Sequence, residues 1–151
     1  MLDYLTRTDG SLAIYLLKAF ATVVVGTLIV TFLASWFMTG PDKAPSETSY
    51  FTLAIVLLGV WPVMVTAMLQ GLLSLARRIA PTYWHAAGGT AALLALVIGL
   101  LGGPQAGFVF AWPFFVYAVV FLAWQLKSTR HAWGMTLVLQ AMVNLPVVLL
   151  M

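Results

Sequence analysis

The chain has no cysteine. Disulfides, thiolate metal sites, iron–sulfur ligation and a cysteine nucleophile are therefore excluded. Charge is almost as scarce: 7% of the 151 residues are charged, against about 25% in soluble domains. A soluble fold would have too little polar surface to cover itself. The acids are Asp3, Asp9, Asp42 and Glu47, and none lies in an apolar run. Paired carboxylates for hydrolysis or for a metal are missing. So is the intramembrane acid that cation-coupled transport usually places near the midplane. No serine stands in a G-x-S-x-G setting. These gaps argue against an enzyme and against a metal site.

What is present is apolar: 63% of the residues are hydrophobic. They fall in runs close to the 17 to 25 residues that a bilayer core requires. The period-2 alternation of a membrane β-barrel is absent. The sequence predicts an all-α membrane protein of five spans, at about 19–38, 50–76, 85–101, 108–126 and 132–150, forming one polytopic domain. Lys18 interrupts the first apolar run, and its stem can carry the ammonium back to the interface. Residues 39–49, with two prolines, make the long polar loop. Pro62 lies inside the second span, where it should free the carbonyl of Leu58 and kink the helix. Residues 102–107 read as a tight turn. That puts Pro113 in the second turn of the fourth span, a milder position.

Five spans place the N-terminus, the 77–85 connection and the 127–131 connection on one side. Arg7, Lys18, Arg77, Arg78, Lys127 and Arg130 lie there, and only Lys43 lies opposite. The positive-inside rule then puts the N-terminus in the cytoplasm and the C-terminus outside. The net charge of +3 is a matter of topology, and no nucleic-acid partner is implied. A multi-pass protein of a plasma membrane follows, and the small size and Ala/Leu-rich composition suit a bacterial inner membrane. Trp36, Phe37, Tyr50 and Phe51 are expected at the outer interface, and Trp84, Trp124 and Trp133 at the inner one.

The second and third spans resemble the fourth and fifth. Trp61-Pro62-x-x-Val65-x-Ala67 matches Trp112-Pro113-x-x-Val116-x-Ala118. His85-Ala86-x-Gly88-x-Thr90 matches His131-Ala132-x-Gly134-x-Thr136, and Leu93, Ala95 and Val97 continue as Leu139, Ala141 and Val143. At 1.5 Å per residue both tryptophans stand about 23 Å above the basic end. Two spans separate the copies, so the pattern predicts a parallel tandem repeat of helix hairpins.

Three groups of residues invite a role. His85 and His131, the only histidines, open two spans at the same side. If they face each other they could hold a bis-His haem, and otherwise they are ordinary helix-start residues that need no cofactor. Gln140 and Asn144, four apart on the fifth span, could bind a small polar ligand or line a pore. The plainer reading is an interhelical hydrogen bond. Ala87, Ala91, Ala95, Gly99 and Gly103 form a ladder of small residues for close helix packing. The echo lacks that ladder, so the third span is expected to be central and the fifth more lipid-exposed. The leading expectation is a non-catalytic accessory or assembly subunit, acting through helix–helix contacts in a homo-oligomer or larger membrane complex. The alternative is a small oligomeric channel or transporter for a neutral solute or lipid.

Overall fold

The computed structural model describes residues 2–38 and 49–150. Lys43 and nearly all of the polar loop lie outside the described residues. Among those described, five helices are long and apolar enough to cross a membrane: α1 (Leu12–Phe37), α2 (Tyr50–Ile79), α3 (Tyr83–Gly102), α4 (Pro104–Gln125) and α5 (Thr129–Leu149). The chain is an all-helical bundle with the makings of a multi-pass membrane protein. A 3₁₀ turn, Asp3–Leu5, precedes α1.

Helices α2, α3, α4 and α5 form a ring in chain order, each touching the next, with α5 closing back on α2. Helix α1 stands outside the ring, in the groove between α4 and α5, and touches neither α2 nor α3 among the described residues. This placement makes α4 the centre. Of its most apolar stretch 61% is buried, against 28% in α3 and 33% in α5. The expectation of a central third span and an exposed fifth is therefore overturned. Helix α4 is enclosed by α1, α3 and α5 and also meets α2, so Val116 to Trp124 is buried without a break. A helix apolar on all sides belongs in such a position. The neighbours bury single stripes: Val65, Thr66, Leu69 and Leu73 of α2, and Ala132, Met135, Thr136, Leu139 and Gln140 of α5.

Hydrogen bonds gather three connections at one end. Tyr15 donates to the carbonyl of Leu5 (2.8 Å), Lys127 donates to the carbonyl of Thr8, and Arg77 donates to Gln125 (3.0 Å). The basic residues Arg7, Arg77, Arg78, Lys127 and Arg130 share this end. Trp124 is not an interfacial anchor. It is buried, edge-on to Tyr15 and stacked on His131, with the Lys127 ammonium 4.8 Å from its ring centroid.

Two local expectations are corrected. Residues 104–107 do not form a turn. Gly103 alone connects α3 to α4, at φ 92°, a left-handed conformation that glycine adopts without steric cost. Pro104 then starts α4, where its missing N–H costs nothing. Pro113 consequently lies ten residues into the helix. The disturbance before Pro62 is a π turn, Val56–Val60. There the N–H of Trp61 reaches back five residues to the carbonyl of Val56. The next donor in that register would be Pro62, which has none. The carbonyl taken up by a side chain is accordingly that of Leu57, not Leu58.

Candidate functional site

The two histidines occupy equivalent local structures. Thr82 is the N-cap of α3 and Ser128 the N-cap of α5. Each cap hydroxyl accepts from the backbone N–H of the histidine three residues on (3.4 Å at His85, 3.2 Å at His131). The same hydroxyl hydrogen-bonds the ring Nδ1, at 2.7 Å in His131. This is an N-cap whose hydroxyl also meets the ring three residues on; it lacks the bond to the cap's backbone N–H that would complete a capping box. Both histidines are exposed. They stand on α3 and α5, opposite corners of the ring that share no contact among the described residues. The structure does not bring His85 and His131 together. Among the described residues no three His, Asp or Glu side chains converge as metal ligands do.

The two amides turn to α2. Gln140 is buried and donates to Thr66 Oγ1 at 3.0 Å. Asn144 donates to the carbonyl of Leu57 at 2.7 Å, the group that the π turn and Pro62 leave available. Nearer the basic end, Trp133 donates to Gln70 at 2.6 Å. Three hydrogen bonds therefore join α5 to α2, where the ring closes between elements far apart in sequence. Thr66 was not singled out in the sequence, and Gln70 reads there only as a residue near the inner end of its span, within reach of water; instead it accepts from Trp133.

The small-residue ladder divides. Ala87, Ala91 and Ala95 are buried, on the α3 stripe that packs against α4. Gly99 lies beside Gly107 of α4: a Cβ at Gly107 would fall 2.6 Å from the Ala95 carbonyl oxygen and 2.8 Å from the Gly99 Cα. Gly103 plays a different part, as the connecting residue with no neighbour within 4 Å of a built Cβ. The missed partner is Gly107.

A second close approach joins α1 to α4. The Trp112 indole lies on Gly26, where any Cβ would overlap its Nε1. The indole donates to the carbonyl of Thr22 at 2.9 Å. Beside it, between α1, the N-terminal turn and Trp112, runs an apolar groove of about 920 Å³. The side chains that matter there are Lys18, Thr22, Val25, Gly26, Ile29 and Trp112.

Comparison with known proteins gives no match to a family model, to a characterised protein or to a solved structure.

Proposed function

We propose that this chain is a non-catalytic integral membrane protein, an accessory or assembly subunit that works through helix–helix contacts as a homo-oligomer or within a larger membrane complex. The observation that carries the reading is where the amides and the half-buried Trp133 indole go. Gln140, Asn144 and Trp133 are all directed at α2, and the middle of the bundle is filled by the apolar α4. A channel for a neutral solute would instead turn such amides to a water-filled path. The histidines bond to the N-cap hydroxyls of Thr82 and Ser128 on helices that do not meet, and that suits a structural role better than a haem.

The same reading places the basic end in the cytoplasm of a plasma membrane, bacterial in type, by the positive-inside rule. It takes α2–α3 and α4–α5 as a parallel repeat. Three structural facts favour that. The four helices form a ring in chain order. Pro62 and Pro113 are both buried, as are Thr90 and Thr136. The Thr82–His85 and Ser128–His131 caps are alike. Helix α1 packs only on the second hairpin, and this accounts for the asymmetry in burial.

The test is isolation from native membrane in a mild detergent, followed by reconstitution. A stoichiometric assembly is expected, with no solute flux above that of empty liposomes. A monodisperse monomer, or saturable flux of a neutral solute, would count against the proposal; flux would favour the transporter. Cysteines at positions 46 and 129 should be labelled from opposite sides by an impermeant reagent.

A further inference from the structure

The geometry points to a binding site for one anionic phospholipid in the groove between α1 and α4. Three observations converge on it. The first is the opening. Because α1 touches α4 and α5 but neither α2 nor α3 among the described residues, part of its own surface is covered by no helix. The groove there is long and apolar, with the Trp112 indole seated on Gly26 as its floor.

The second is depth. Tyr15 edges onto Trp124, and Trp112 lies on Gly26, so α1 runs antiparallel to α4 with a fixed register. Lys18 stands one turn beyond Tyr15, and Trp124 stands one turn from Lys127. Lys18 is therefore roughly 9 Å from the basic end, within reach of the interface for a snorkelling side chain. From Lys18 to Val30 the groove follows twelve residues, about 18 Å. That approximates one leaflet's half of a ~30 Å hydrocarbon core.

The third is charge. Among the described residues, Lys18 is the only ionisable side chain in the groove wall apart from the Tyr4 phenol. Its ammonium makes no hydrogen bond or ion pair among the described residues, whereas Lys127 is held by Thr8. The hydroxyls of Tyr4 and Thr22 stand at the same end, but their protons are used within the protein: Thr22 donates to the Lys18 carbonyl and Tyr4 to Thr22. A phosphodiester at Lys18 with one acyl chain laid toward Val30 satisfies the charge and the apolar length together. A second protein helix would fill the apolar part and leave the ammonium without an anion.

The experiment is native mass spectrometry of the delipidated full chain, titrated with phosphatidylglycerol or phosphatidylcholine of the same acyl composition. One phosphatidylglycerol should bind ahead of the rest, and more tightly than phosphatidylcholine. Lys18→Gln should remove about fivefold of that preference, the worth of one basic residue at an anionic surface. Val25→Trp and Ile29→Trp fill the groove from exposed positions, and each should abolish first-lipid binding of both kinds. Circular dichroism of each variant establishes that it is folded, and whichever groove variant is folded supplies the test. Equal binding of the two lipids, an unchanged preference in Lys18→Gln, or a lipid-free dimer that masks the groove would each overturn the site.

Discussion

Replacing Gly107 by alanine tests the packing of α3 on α4 most directly. The added Cβ would stand 2.6 Å from the Ala95 oxygen, 2.8 Å from the Gly99 Cα and 3.0 Å from the Gly99 nitrogen. All three atoms belong to the α3 backbone, so no rotamer change relieves the contact and the helices must separate. Overpacking of this kind costs about 1–3 kcal/mol. Alanine recovers about 0.5–1 kcal/mol as the better helix former. The net expectation is a loss of roughly 1–2 kcal/mol, and more for Gly107→Leu. Gly88 and Gly134, the glycines of the repeated His-Ala-x-Gly motif, have nothing within 4 Å of a built Cβ. Their alanine variants should match the wild type or exceed it by up to about 1 kcal/mol. Reversible unfolding in mixed micelles, with increasing SDS and followed by circular dichroism, measures all four. A Gly107→Ala protein as stable as wild type would refute the reasoning, as would a Gly88→Ala protein equally damaged.

Two further pairs of substitutions probe the joints of the bundle. Gly26→Ala should displace the Trp112 indole and destabilise by about 1–3 kcal/mol, and Trp112→Leu should recover part of that loss, read by the same unfolding assay; additive losses would contradict the contact. Asn144→Leu leaves the Leu57 carbonyl without its donor and should cost about 1–2 kcal/mol, near the upper end for membrane hydrogen bonds. Restoring a backbone N–H with Pro62→Ala should shrink that cost, and a double-mutant cycle without coupling would rule out the link between Pro62 and Asn144.

Much of the architecture was legible without coordinates. The lengths of the apolar runs set five spans, and the parity of five antiparallel helices put Arg77, Lys127 and the N-terminus at one end. The caps were not read from the sequence, which started these spans at the histidines; Thr82 and Ser128, three residues earlier, are the caps. Other features were read one step off. Gly102 to Gly107 resembled a turn because glycine and proline cluster there. The proline instead starts a helix, and Gly107 is spent on contact with α3. Pro62 was seen as a break, but the π turn that shifts the free carbonyl to Leu57 depends on how α2 meets α5.

Sequence alone determined the all-helical class, the number of helices long and apolar enough to cross a membrane and the shared basic end, because these follow from run length and charge placement along the chain. Only the tertiary structure decided that α4 is central, that Gln140 and Asn144 belong to α2, and that His85 and His131 stand on helices that do not meet. The physical reason is the solvent. In water an apolar stripe marks the buried face of a helix. In hydrocarbon a leucine toward lipid and a leucine toward a neighbour are nearly equal in free energy. The spans therefore carry little record of which side faces in, and close packing at Gly26, Gly99 and Gly107 makes the choice.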